Sequence, residues 1–242
     1  MINRTEALLG EDFVSSIETK TVALAGLGAV GGLCFETLVR AGVGNFIIAD
    51  FDTFEKSNLN RQILALNSTI GKKKTEVALS RALDINPSVK IKAINAFISS
   101  ENVSIFSSAD LIIDCIDSVK SKADIIAFAQ QKGIKVISSM GAALRKDAEL
   151  IRTGYIKDTA GCPLARALRK ELRKRGCSLD VACVYSSERV DFDYDKNRIE
   201  KDDEKKKSTA LGSLASITNI FASRISHAAL CMLYQRDSLS SL

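Results

Sequence analysis

The sequence predicts an α/β protein: a mainly parallel sheet with helices on both faces, extended by antiparallel strands and closed by a C-terminal helix. Three observations carry this. Short apolar runs alternate with helical stretches through the first half of the chain. The residues best suited to chemistry (a glycine cluster, Asp50 and Asp117) fall directly after apolar runs, and open α/β sheets bind ligands at the carboxyl ends of their strands. The second half then changes character, with strand-like runs around a basic helix and a long polar stretch.

The elements follow in order. Residues 21–25 are a β-rich run ending at the glycines, and 30–41 are helical in composition with Val30, Leu33, Leu38 and Ala41 as apolar positions. An apolar run at 46–49 ends in Asp50. A helix over 73–83 is stopped by Asn86-Pro87. Residues 89–94 alternate as a strand, 111–115 read as a buried strand, 123–131 as a helix and 135–140 as the next strand. Beyond Gly141 come strands at 150–157 and 181–187, an amphipathic helix at 163–175 and a closing helix at 211–233. The whole chain, 1–242, reads as one domain. It comprises an N-terminal arm (1–20), a core (21–145) and an extension (146–242) with a mobile loop at about 188–210, a stretch almost free of aliphatic residues.

Composition narrows the class. Of 242 residues, 46% are hydrophobic, enough for a full core, and with only two prolines and no tryptophan the low-complexity classes are excluded. The six cysteines form no Cys-x-x-Cys pair, which argues against a zinc site and a disulfide framework and implies a reducing cytoplasm. Cys34 and Cys115 lie inside apolar segments and read as buried, inert thiols. The first 13 residues hold no signal-like apolar core, and the mildly apolar stretch 210–233 carries Arg224 and His227, so stable membrane insertion is not expected. A net charge of +5 leans modestly toward polyanions.

The chemistry is concentrated between Gly26 and Ser118. Gly26, Gly28, Gly31 and Gly32 follow a strand and open a helix, a Rossmann-like turn whose backbone N–H groups and helix dipole suit a phosphate. Asp50 ends the second strand about 20 residues on, where a ribose-binding carboxylate is expected. To this point a nicotinamide-binding protein fits equally well. Asn58, Asn60, Arg61 and Gln62 separate the readings, because a guanidinium fork grips phosphate oxygens and a dehydrogenase has no evident use for it. Lys74 adds a second cation, although its place in the run 72–74 also suits a solvated surface. Two cations and a helix N-terminus match a triphosphate attacked at its α-phosphate, with charge developing on pyrophosphate. Asp117, beside Ser118, can hold Mg²⁺ between phosphates, whereas Asp114 is expected to be buried in its strand.

Gly26-x-Gly28-x-x-Gly31-Gly32, Asp50-Phe51-Asp52, Ser57 to Gln62, Gly71-x-x-Lys74 and Asp114-x-x-Asp117-Ser118 together resemble the superfamily of ubiquitin-activating-like (E1-like) adenylating enzymes. That resemblance implies adenylation of a carboxylate by Mg·ATP in a homodimer. It makes Arg61, Asp117 and Arg4 the catalytic set, with Asp117 on the metal. It assigns ATP to Gly26, Gly28, Gly31, Asp50, Asp52, Asn58, Asn60, Gln62, Lys74 and Ser118. Arg4 matches an arginine lent to the partner subunit's ATP, and the usual second arginine three positions earlier is Met1 here.

The second half resembles one branch, the tRNA threonylcarbamoyladenosine dehydratases. The similarity rests on Arg61-Gln62-Ile63-x-Ala65-Leu66, Cys162-Pro163-Leu164-Ala165 and Val181-x-Cys183-Val184-Tyr185-Ser186-Ser187-Glu188. It implies ATP-dependent ring closure of the threonylcarbamoyl group at adenosine 37 of tRNA. The nucleophile then belongs to the substrate, which agrees with the absence of any cysteine between 188 and 210, where thioester-forming relatives carry one. Independently, Arg166, Arg169, Lys170 and Arg173 share one helical face and Lys174 extends it, a pattern suited either to an RNA backbone or to a solvated helix. His227, the sole histidine, reads as a packing residue. Two alternatives stay open. One is adenylation of a small sulfur-carrier protein, and the resemblance also admits a sulfur-relay partner. The other is a non-catalytic nucleotide-binding scaffold.

Overall fold

The computed structural model describes residues 3–190 and 211–234. Seven strands form one sheet: β1 (Thr21–Ala25), β2 (Asn45–Ala49), β3 (Lys90–Ile94), β4 (Leu111–Asp114), β5 (Lys135–Ser139), β6 (Ile151–Tyr155) and β7 (Ala182–Ser186), in the order β3-β2-β1-β4-β5-β7-β6. Every pairing is parallel except that of β6 with β7 at one edge. The extension 146–242 therefore completes the same sheet rather than forming a separate layer. The order reverses between β1 and β4, so the turns that follow these two strands flank the switch-point crevice.

Among the described residues seven α-helices accompany the sheet: α1 (Asn3–Leu9), α2 (Glu11–Glu18), α3 (Gly31–Ala41), α4 (Lys74–Ile85), α5 (Val119–Lys132), α6 (Pro163–Lys174) and α7 (Ala215–Leu233). One sheet face packs on α3, α4 and α7 through residues such as Phe35, Leu38, Phe221 and Ile225. The other packs on α5 and α6 through Ile125, Ile126, Leu164, Leu168 and Leu172. The central strands read as unbroken apolar runs because both faces are covered, whereas β3, at the edge, alternates.

The N-terminal arm is helical. Phe13, Val14 and Ile17 of α2 bury against Leu230 and Tyr234, a satellite core too short to show a period in the sequence. The helix expected at 123–131 begins at Val119, with Ser118 as its cap. The first turn holds Lys120, Ser121 and Lys122, and their polarity hides the start. The expected mobile loop falls mostly on residues 191–210, outside the described residues. Both of its flanks are fastened to one short turn. Leu144, the one non-glycine residue with positive φ among the described residues (63°), donates its N–H to Gly212 O at 2.9 Å. The buried Arg145 guanidinium donates to the carbonyls of Glu188 and Gly161, while Lys146 N and Asp147 N donate to Glu188 Oε2 at 3.0 and 3.1 Å. Among the described residues no helix is long and apolar enough to cross a membrane.

Candidate functional site

The site assembles at the carboxyl edge of β1, β2 and β4. Gly26 has φ 90° and packs so closely under β4 that a Cβ would lie 2.8 Å from Cys115 O. At Gly31 a Cβ would lie 1.8 Å from Gly26 O, so these two glycines are demanded by the fold. Gly28 is different. A Cβ there meets nothing within 4 Å, and its φ lies outside the left-handed range. No contact within the chain requires glycine at 28, and the face above the turn is open enough to admit a phosphate against the backbone. Gly28→Ala is therefore expected to keep its melting temperature within about 2 °C while ATP affinity falls about tenfold in titration calorimetry, whereas Gly31→Ala yields little folded protein.

Asp50 is buried and organises this turn. Its Oδ2 accepts the N–H of Leu27 at 2.6 Å and its Oδ1 accepts that of Asp52 at 2.9 Å. Asp52 in turn binds Lys74 Nζ at 2.8 Å. Lys74 is not part of a solvated run: it is only 5% exposed, whereas Lys72 and Lys73 are exposed. It opens α4, and a cation at the positive end of a helix is unfavourable unless an anion compensates it. A single half-exposed carboxylate compensates it in part, which leaves this corner receptive to further negative charge.

The segment after β2 carries the amide–guanidinium cluster. Asn58 is buried and its Oδ1 accepts Glu55 N at 3.1 Å, closing a short helical turn over Lys56–Asn58. Arg61 donates through Nη1 to Ser57 O at 2.7 Å and Asn60 Oδ1 at 2.8 Å. That fixes the side chain and leaves its Nη2 and Nε edge for a planar anion. Asn60 itself spans two segments, because its Nδ2 also donates to Ser213 O at 3.1 Å. Asn60 thus positions Arg61 through both ends of its amide. The side-chain Oε1 of Gln62 is the one buried side-chain N or O without a hydrogen-bond partner among the described residues.

After β4, Asp117 is exposed at the rim of the crevice, and Ser118 caps α5 by accepting Ser121 N at 3.4 Å. Asp114 is fully buried, as the sequence implied. Its partner was not foreseen: Lys122 Nζ, itself fully buried, lies 2.9 Å from Asp114 Oδ2 and donates to Ser138 Oγ at 3.1 Å and Ser139 O at 2.7 Å. This pair cross-braces the carboxyl ends of β4 and β5 beneath Asp117. Among the described residues no three His, Cys, Asp or Glu side chains gather as a metal site. Mg²⁺ keeps most of its waters and binds one or two carboxylates plus phosphate oxygens, so the lone Asp117 fits a metal that arrives with a nucleotide.

Two exposed rings were missed from the sequence. Phe51 and Phe97 are 55% and 49% exposed and meet edge-to-face at 5.3 Å beside Asp50 and Asp52. An exposed aromatic between two acids, Asp50-Phe51-Asp52, was the available signal. Three of the six cysteines are disfavoured as thiolates: burial raises Cys34, and pushes Cys115 and Cys183 up to about 12.

On α6, Leu164, Leu168 and Leu172 are buried, while Arg166, Lys170, Arg173 and Lys174 are exposed. Arg169 departs from that face. It turns inward, donating to Thr159 O at 2.9 Å and to Thr159 Oγ1, and burial, together with Arg173 nearby, lowers its pKa. It sits next to the apolar stripe, and the carbonyls of the preceding turn capture its guanidinium. Arg4 is exposed on α1 and lies apart from these residues in the chain.

Fold and site define a Rossmann-like α/β protein with a glycine turn after β1 joined to an acid pair and a lysine after β2. A model described as the ThiF family matches residues 2–241, and the chain belongs to that family. It is 35% identical over 187 residues to tRNA threonylcarbamoyladenosine dehydratase 2 of Saccharomyces cerevisiae, covering 76% of this chain and 42% of that protein. It is 34% identical over 188 residues to the tRNA threonylcarbamoyladenosine dehydratase of Bacillus subtilis, covering 77% of this chain and 74% of that one. The chain thus spans less than half of the yeast relative and about three quarters of the bacterial one. The crystal structure of Escherichia coli tRNA N6-threonylcarbamoyladenosine dehydratase in complex with ATP superposes with a TM-score of 0.85 at 28% identity, covering 96% of this chain and 93% of that one.

Proposed function

We propose that this protein is an ATP-dependent tRNA threonylcarbamoyladenosine dehydratase that closes the threonylcarbamoyl side chain at position 37 into a ring. The observation that supports the reading is an open Gly28, a buried Lys74 at a helix N-terminus and an anchored Arg61, in a chain similar over nearly its whole length to a dehydratase solved with ATP. The substrate carboxylate attacks the α-phosphorus and pyrophosphate leaves. Arg61 and Lys74 stabilise the charge that develops on it. The carbamoyl group on the same side chain then attacks the acyl carbon, AMP departs, and one water has been lost overall. Holding the two reacting groups on one substrate makes this second step intramolecular, and no enzyme nucleophile is required. Mg²⁺, held by Asp117 and phosphate oxygens, would supply charge neutralisation on the leaving group. Phe51 and Phe97 offer a surface for the adenine ring.

The exposed cations of α6 are assigned to the tRNA backbone. A second copy of the chain is assigned to the apolar strip around Arg61, where Leu59, Ile63, Leu66 and Leu214 are 39% to 52% exposed, and would bring Arg4 toward the partner's ATP. Six thiols without a disulfide suit a reducing cytoplasm. The test is mass spectrometry of tRNA nucleosides after incubation with the protein and ATP. The expected result is a threonylcarbamoyl nucleoside lighter by about 18 mass units, one water lost on ring closure. An unchanged nucleoside, with ATP consumed only when a small sulfur-carrier protein is added, would overturn the reading in favour of carrier activation.

A further inference from the structure

Helices α5 and α6 lie side by side and run in the same direction. Val119 and Lys120 line one cleft with Glu171 and Arg175, Arg175 Nη1 pairs with Asp124 at 2.6 Å, and Ser178 N donates to Gln130 Oε1 at 3.0 Å. Glu171 therefore lies level with Lys120. At a rise of about 1.5 Å per residue, α6 begins about 12 Å beyond that level, on the side of the sheet's carboxyl edge. The neighbours of Gly141, just past β5, agree: a Cβ there would lie 3.7 Å from Cys162 Sγ and 3.7 Å from Leu164 Cβ. The outer face of α6 thus passes from beside the nucleotide crevice down to the first turn of α5.

The cleft has a volume of about 250 Å³. At its floor Arg175 is bound by both Asp124 and Glu171, one cation between two carboxylates, so the floor keeps a net negative charge and a phosphate would sit at the rim. The rim carries the cations. Lys120 is exposed on the α5 side, three residues after Asp117, and Lys174 is exposed on the flank of α6 that turns toward α5, with Arg166, Lys170 and Arg173 exposed beyond it. None of the large hydrophobic residues exposed among the described ones lies on α5 or α6. A protein partner would seek an apolar centre to its patch; a nucleic-acid backbone needs only the cations.

We propose that an RNA strand runs along the α5–α6 cleft toward the nucleotide crevice, with Lys120 holding a backbone phosphate next to the nucleotide being modified. This rests on the RNA substrate inferred above and adds a contact outside α6, where the sequence pattern had confined it. The test is binding of the labelled threonylcarbamoyl-bearing tRNA by fluorescence anisotropy across a salt series, with melting temperature as the check on folding. Lys120→Ala is expected to weaken binding about three- to tenfold and to reduce the slope of log K against log salt by about one, and Lys120→Arg restores both. An unchanged affinity and slope in Lys120→Ala, while Arg166→Ala and Arg173→Ala lose affinity, overturns the path and leaves the RNA reading standing. Failure of the unsubstituted protein to bind any tRNA overturns both. A loss confined to binding of a small acidic carrier protein overturns the proposal in favour of a protein partner.

Discussion

Arg61→Ala is expected to lower ATP-dependent turnover by about 10²- to 10³-fold, the usual cost of removing one donor aimed at developing charge. Ser57 O and the Asn60 amide already hold the side chain through one nitrogen, so little ordering remains to be done when the pyrophosphate forms. Arg61→Lys should recover little, since an ammonium cannot reproduce a planar fork. These bonds join residues in one loop, so the variant should melt within a few degrees of the parent protein. Single-turnover AMP formation with modified tRNA is the measurement. A rate within twofold of the parent would remove Arg61 from the chemistry.

Lys122→Ala should be among the most destabilising single substitutions in the chain, by about 3–5 kcal/mol. Lys122 and Asp114 are both 0% exposed; removing the ammonium leaves the carboxylate in the interior without its counter-charge, still accepting from Ser138 Oγ at 2.6 Å and Ile116 N at 3.1 Å, and takes the ammonium donor from Ser139 O. For a domain of this size that corresponds to a fall of roughly 10 °C or more in melting temperature. Lys122→Met combined with Asp114→Asn removes both charges and should recover a large part of the loss, because the cost lies in the unpaired partner rather than in the missing attraction. Chemical denaturation of the three variants checks this. A loss under 1 kcal/mol for the single variant would mean that water reaches the pair.

The parallel core was legible because β1, β2 and β4 are buried on both faces and so appear as apolar runs, each ending where a glycine or an acid takes over. Asp114 and the inward leucines of α6 were legible for the same reason: position within an element settles burial. What escaped was pairing between distant segments. Lys122 looks like a surface lysine until Asp114 and Ser138 are brought to it, and it blurred the start of α5. Lys74 was expected as a second cation of the site, with its place in the run 72–74 also suiting a solvated surface; the backbone hydrogen bond from Lys74 N to Asp52 O goes with a side chain turned inward. Asn60 was expected among the ATP-binding residues, and the link its amide makes from Arg61 to Ser213, 153 residues away, was not visible in the sequence. Arg169 has the helical spacing of its basic neighbours, and only the carbonyls at 156 and 159 distinguish it. Periodicity reports which way a side chain leaves its own element and carries no information about what waits there.

The turn at Leu144 to Asp147 grips Glu188 on one side and Gly212 on the other. One turn therefore sets both the place where the chain leaves at Glu188 and the place where it returns at Gly212, and Asn60 ties that return point to the Arg61 loop through Ser213. A disturbance of Leu144 to Asp147 should be felt at Arg61 as well as at Glu188.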